Sequence, residues 1–330
     1  AAGNDTSNMD LTRHYPASFP LDNIVAVGAS TRLDDIAGYS NYGPGAIELF
    51  APGDQILSLS NAADSGGNAY EILSGTSMAA PHVSGALALL KAHFPTENYH
   101  QLINRLLRGR EPVIRGDASV FSGRALTGGR LNLYRALTTS TNRPFNDDFA
   151  DRARLSGDNV STRASTLSAT SEFGEPVHGG LGTASLWYEW KPTTSGVVRL
   201  STAGSAFDTV LAVYRGSAID SLIPVASNDD DSGLPTSRLD LTVKAGVTYE
   251  IALAGKNGAT GFALLSLGTV PSNDAFATPV VLPGASAQIK ATNANCTREP
   301  GEPAILGQTG GHSLWYRWTA PASGRFQIAV

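Results

Sequence analysis

The sequence predicts two architectures joined in one chain: an α/β segment up to about Thr139, followed by antiparallel β-sandwiches. Three observations carry this. Short apolar runs alternate with helical patterns in the first part. From about Asn142, short alternating strands lie between clusters of Gly, Ser, Asp and Asn. The second part also repeats itself. Asn146-Asp147-Asp148-Phe149-Ala150 recurs as Asn273-Asp274-Ala275-Phe276-Ala277, Gly174-Glu175-Pro176 as Gly301-Glu302-Pro303, and Ser185-Leu186-Trp187-Tyr188-Glu189-Trp190 as Ser313-Leu314-Trp315-Tyr316-Arg317-Trp318.

Taken in order, Asn23 to Ala29 is almost continuously apolar, as a strand buried on both sheet faces is. Ile47 to Ala51 and Gln55 to Ser58 are shorter strands separated by the turn Pro52-Gly53-Asp54, and Ala69 to Leu73 is another. The organising stretch comes next: Ser74 to Gly85, S-G-T-S-M-A-A-P-H-V-S-G, running into Ala86 to Leu90. Gly75 allows a tight turn, and Pro81 is tolerated only in a first helical turn, so a helix is expected to begin near Ser77. Because it is apolar on nearly every side, the helix is expected to be buried mid-domain. Ser77 at its mouth meets free backbone N–H groups and the positive end of the helix dipole, an environment suited to an oxyanion. Read alone, a Gly-Thr-Ser before a helix is a capping serine opening a core helix; the full string around it points the other way. Tyr99 to Arg108 has the spacing of a one-sided surface helix, and Arg130 to Leu137 is a closing helix entered through Gly128-Gly129.

The twelve-residue string resembles the nucleophile segment of the subtilisin-like serine proteases (subtilases), G-T-S-M-A-x-P-H-V-x-G, in which the serine attacks the scissile carbonyl. Ala1-Ala2-Gly3-Asn4 resembles that family's A-A-G-N, Tyr15-Pro16-Ala17 its Y-P-A phrase, and Phe50-Ala51-Pro52-Gly53 its A-P-G turn. The resemblance implies a serine endopeptidase acting on a protein or peptide substrate, with Ser77 as nucleophile. The Asn4 side chain and the Ser77 backbone N–H would bind the oxyanion, while Ala2, Gly3, Tyr15, Pro16 and Ala17 would border the substrate. It needs no cofactor for its chemistry. In subtilases the catalytic Asp and His precede A-A-G-N, so the chain is expected to be a fragment holding the back half of the catalytic domain over residues 1–140. His82 lies about 140° round the helix from Ser77 and is expected to be structural. His14, His93, His100, His178 and His312 are expected at the surface.

In the repeated part, a first sandwich is expected over 141–269 and a second, truncated copy over 270–330. Strands are expected at Leu186 to Trp190, Val197 to Leu200, Phe207 to Tyr214, Leu239 to Val243, Tyr249 to Leu253 and Phe262 to Leu267, and in the second copy at Phe326 to Ile328. These domains look like the prepeptidase C-terminal domains that follow catalytic domains in secreted bacterial hydrolases. Alternation puts Leu186, Tyr188 and Trp190 on one face of a strand and Trp187 on the other. That aromatic strand is either core or a sugar-stacking platform for a polysaccharide or cell surface. Glu175, Asp208, Asn228, Asp229 and Asp230 carry the hard oxygens a structural calcium ion takes, or form an ordinary solvated acidic turn.

A length of 330 residues fits two or three domains, and a net charge of −5 with scattered basic residues gives no footprint for nucleic acid. No run of about 18 apolar residues suggests a membrane span. A single cysteine, Cys296, forbids an intrachain disulfide, which fits a reducing compartment or an exported bacterial protein. With the resemblance, the expectation is a secreted bacterial enzyme. The abrupt start at Ala1, and an end at Val330 within an expected strand, fit a piece of a longer chain. The rival reading is a non-catalytic adhesion or carbohydrate-binding protein on a degenerate protease domain.

Overall fold

The structure of the protein is a computed structural model that describes residues 1–61, 66–67, 69–116, 118–231, 233–293, 295–299, 301–303 and 312–328. In the α/β part, β1 (Val27–Ser30) and β2 (Leu49–Pro52) pair in parallel, Val27 opposite Leu49, and all of β1 is buried. The apolar run from Asn23 becomes strand only at Val27. β3 (Ile56–Leu59) and β4 (Tyr70–Leu73) form an antiparallel ribbon leading to α1 (Thr76–His93). α2 (Tyr99–Arg108) starts from a capping box, in which Asn98 accepts from the Gln101 backbone and Gln101 from that of Asn98. The short pair β5 (Ile114–Arg115) and β6 (Ala118–Ser119) and the helix α3 (Leu133–Thr138) complete this part.

The expectation of a fully enclosed α1 is not met. Only Thr76, Ala79, Val83, Ala86 and Leu90 are buried, a single stripe at spacings of three and four, while Leu89 is 46% exposed. β1 and β2 lie along that stripe, with α2 and α3 beside it.

The next part is a two-layer sandwich. One sheet has the order β12-β11-β14-β9-β7, built from β7 (Ala153–Leu155), β9 (Gly182–Trp190), β11 (Thr209–Arg215), β12 (Ile223–Asn228) and β14 (Tyr249–Lys256). The other has the order β13-β10-β15-β8, from β8 (Asn159–Ser165), β10 (Gly196–Ser201), β13 (Arg238–Val243) and β15 (Phe262–Thr269). All pairings are antiparallel except β7 with β9. Leu186, Tyr188 and Trp190 face the inner core with Leu200, Leu241 and Leu267. Trp187, on the opposite face, is also fully buried, packed on Phe149 and Tyr214 under the 175–182 turn. The strand therefore offers no exposed ring on which a sugar could stack.

The repeat is visible as duplicated bonding. Asn146 Nδ2 donates to the Trp187 carbonyl at 3.1 Å, as Asn273 Nδ2 does to that of Trp315 at 3.0 Å. Asp147 accepts from Thr170 as Asp274 does from Thr297. β16 (Val280–Leu282) pairs in parallel with β17 (Tyr316–Trp318) in the register of β7 with β9. The strand expected from Phe326 is not formed over 326–328. Phe326 instead packs edge-on against Trp318 at 4.8 Å, and no strand among the described residues pairs with it. Val330 lies outside the described residues.

Candidate active site

Ser77 is the second residue of α1 and is exposed, as is Asn4. The Thr76 backbone N–H (2.9 Å) and hydroxyl (3.0 Å) both approach Asn4 Oδ1, and the Gly3 N–H donates to Thr76 Oγ1 at 3.0 Å. A backbone N–H can only donate, so the Asn4 atom facing it is the amide oxygen and the NH2 group is the one left free. Asn4 Nδ2 lies over Gly75, where an added Cβ would sit 3.3 Å from it, and donates to nothing among the described residues. Gly75, which has no Cβ, leaves room for this amide. The Ser77 N–H likewise has no acceptor among the described residues. The place a Gly75 Cβ would take is 3.3 Å from Asn4 Nδ2 and 3.7 Å from the Ser77 backbone nitrogen, so an amide NH2 and a helix-terminal N–H converge at the start of α1, the kind of donor pair that a developing oxyanion requires.

The Asn4 segment is held from below by Asn41, a fully buried residue whose role is not evident in the sequence. Asn41 Oδ1 accepts from the backbone of Asp5 and Ser7, its Nδ2 donates to the Ala2 carbonyl, and its N–H donates to the Gly3 carbonyl. Gly3 has φ 101°, and a Cβ there would lie 2.5 Å from Asn41 Nδ2, so only glycine fits. Ala2 is wholly buried, with its N–H on the Val27 carbonyl. The backbone N–H and carbonyl groups of Ala2 and Gly3 are thus engaged in holding the Asn4 segment. Ala17 is buried too, its carbonyl taken by Arg163. Of the five expected substrate contacts, Tyr15 and Pro16 are exposed; Tyr15 leans on Phe19, ring centroids 4.7 Å apart.

No histidine or carboxylate among the described residues is hydrogen-bonded to Ser77. His82 is exposed, with Nδ1 at 2.9 Å from the Met78 carbonyl one turn back. His178 corrects the surface expectation: it is completely buried, its ring between Tyr214 Oη (2.8 Å) and Glu175 Oε1 (2.9 Å). The segment carrying it folds back over Trp187 and Tyr214, a long-range packing that its local sequence does not show.

The five expected calcium ligands do not form one group. Glu175 is enclosed with His178, Ser185 and the Glu172 backbone. Asn228 Oδ1 accepts from the Arg238 N–H. Asp208, Asp229 and Asp230 do converge, on the Lys256 ammonium, at 3.9, 2.9 and 3.7 Å. Lys256 supplies there the countercharge that the sequence suggested a metal would bring, and no group of three or more acidic, His or Cys residues among those described has a metal-holding arrangement.

The Subtilase family profile matches residues 1–119. An "Extracellular protease" of Xanthomonas campestris pv. campestris is 37% identical over 144 residues, which is 43% of this chain and 23% of that protein. A "Thermophilic serine proteinase" of Bacillus sp. (strain AK1) is 38% identical over 138 residues, 42% of this chain and 30% of the relative. The chain thus spans less than a third of the length of either relative. The pre-peptidase C-terminal domain of a collagenase from Bacillus anthracis superposes on 34% of this chain and 91% of that one, at 13% identity and a TM-score of 0.24. No described helix is long and apolar enough to cross a membrane. Residues 1–119 are a Subtilase family domain, homologous to serine proteases, and antiparallel β-sheets follow it.

Proposed function

We propose that this chain carries the nucleophile and the oxyanion donors of a serine endopeptidase that works outside the cell. Ser77 Oγ attacks the carbonyl carbon of a peptide bond, and its proton passes to a histidine base that, by the family resemblance, precedes the A-A-G-N segment together with its orienting aspartate. The carbonyl oxygen becomes an oxyanion held by Asn4 Nδ2–H and the Ser77 N–H. The C–N bond then breaks, the leaving amine takes the proton, and water releases the acyl group by the same route. No cofactor enters this chemistry. The observation that carries the reading is the fixed orientation of Asn4, whose oxygen is tied twice to Thr76 and whose NH2 is free beside Ser77. The extracellular setting rests on the naming of homologues as extracellular proteases.

The test is peptide hydrolysis by the whole protein and by its Ser77→Ala variant. Turnover should fall by about 10⁶, a magnitude known from subtilisin; unchanged turnover would remove Ser77 from the mechanism. The rival sugar-binding reading loses its main support with the burial of Trp187.

A further inference from the structure

One side chain of the first sandwich reaches into the N-terminal segment. Arg163, on β8, is 9% exposed. Its Nη1 donates to the carbonyls of Ala17 (3.1 Å) and Phe19 (2.7 Å), and its Nη2 to Glu48 Oε2 at 3.1 Å. Its Nε lies 2.9 Å from Glu48 Oε1, within ion-pair range though off the hydrogen-bonding angle. Glu48, 5% exposed, also accepts the Ala26 N–H, which fixes the carboxylate to the start of the β1–β2 sheet. The guanidinium thus bridges a buried anion and two backbone carbonyls more than 140 residues away in sequence.

Those carbonyls belong to a self-bonded turn. The Ser18 N–H donates to the His14 carbonyl at 2.8 Å, the His14 N–H to Ser18 Oγ at 3.1 Å, and the Phe19 N–H to the Pro16 carbonyl at 3.1 Å. The turn exposes Tyr15 and Pro16 on one side. On the other, the His14 ring lies against Gly3, its Nδ1 3.2 Å from where a Cβ would be, one residue from Asn4. A planar fork suits this arrangement, since it satisfies the carboxylate and both carbonyls at once.

We propose that Arg163 is a positioning residue through which the first sandwich domain sets the peptide-binding cleft, holding the His14–Phe19 turn so that Tyr15 and Pro16 present a fixed exposed edge while His14 of the same turn stays against Gly3, next to Asn4. This rests on the reading of Ser77 and Asn4 as the hydrolytic centre. Peptides long enough to touch the turn depend on Arg163, whereas a short amide substrate that touches only Ser77 and Asn4 does not.

The test uses the whole protein and the double variant Glu48→Gln/Arg163→Met, which removes both buried charges together so that neither is left alone. Arg163→Lys is the conservative comparison, keeping charge but not the fork. Hydrogen exchange at residues 14–19 should quicken at least tenfold in the double variant and by less in Arg163→Lys, with β9 and β14 still protected. The kcat/KM for a long peptide should fall on the order of tenfold, mainly through KM, while that for a short amide stays the same. Unchanged exchange at 14–19 would show that Arg163 does not hold the turn. An equal fall for both substrates, or none for the long one, would leave it a structural residue only. Ser77→Ala is run beside them: unchanged hydrolysis there overturns the hydrolytic reading, while the exchange data still decide whether Arg163 holds the turn.

Discussion

Asn4 Oδ1 accepts both the backbone N–H and the hydroxyl of Thr76, 72 residues downstream, at 2.9 and 3.0 Å. Thr76 is 1% exposed and spends its hydroxyl twice, as donor to Asn4 and as acceptor for the Gly3 N–H. The residue before the candidate nucleophile is therefore the brace of the candidate oxyanion donor.

Asn4→Asp should separate brace from donor. The aspartate keeps the acceptor for Thr76, loses the NH2 and places negative charge where the oxyanion forms. Turnover by the whole protein should fall at least 10²–10³-fold, about the cost of one lost oxyanion donor in subtilisin. The melting midpoint should hold, because the helix N-terminus favours the added charge. Thr76→Val should instead cost about 1–3 kcal/mol of stability, leaving the Gly3 N–H without its acceptor.

How much of this was legible in the sequence differs from residue to residue. α2 was read at its observed bounds because its apolar spacing is local. The two faces of β9 were readable because a period of two needs no partner. The stretch at Ser77 was readable as a string, but the bracing by Thr76 and Asn41 was not, since each acts on backbone 34 to 73 residues away. Apolarity on nearly every side misled for α1: it predicts enclosure, whereas burial depends on which elements flank the helix. β7, β8 and β12 were missed. β7 has three residues, β8 is rich in Ser, Thr and Arg, and β12 carries Pro224 on an edge, where its missing N–H does no harm.

Glu250 should make the first sandwich sensitive to pH. It is 1% exposed, and burial pushes its pKa up to about 7, although Arg152 Nε stands 3.0 Å away and acts in the opposite sense. Between the ordinary value of 4.5 and about 7, the folded protein binds this proton more tightly than the unfolded chain does. Stability from this group is therefore present below pH 4.5 and is lost as pH rises to about 7. Thermal melts of Glu250→Gln should lose much of that decline, a difference of up to about 3 kcal/mol at neutral pH. Asp10, also raised to about 7 by burial, acts with the same sign, so the slope should shrink rather than vanish. Identical pH profiles in both proteins would mean that Glu250 titrates normally.

Trp187 distinguishes core from binding platform. It is fully buried, with Phe149 edge-on at 5.0 Å and His178 at 5.2 Å. Trp187→Ala should destabilise the sandwich by about 3–5 kcal/mol. A variant as stable as the parent but weaker in polysaccharide pull-down would restore the platform reading.

Lys256 provides the last prediction. Its ammonium is shared by Asp208, Asp229 and Asp230, and its hydrogen bond to Asp229 holds that carboxyl below the usual aspartate range while raising the lysine above its own. The signs follow from linkage. The Asp229 contribution is present above the ordinary value of 3.8 and lost as pH falls through its lower folded value. The Lys256 contribution is complete below 10.5 and lost as pH rises through its higher folded value. Between those limits, Lys256→Met leaves three carboxylates facing one another, so the variant should melt lower. Salt should narrow the gap, because exposed like charges are screened over about 8–10 Å at moderate ionic strength. In the parent protein, where the ammonium already fills the space between the acids, calcium and chelator should give the same melting midpoint. In Lys256→Met, calcium should raise it, since the oxygens then lack a cation. A midpoint that rises with calcium equally in the parent and in Lys256→Met would show that the ion binds elsewhere.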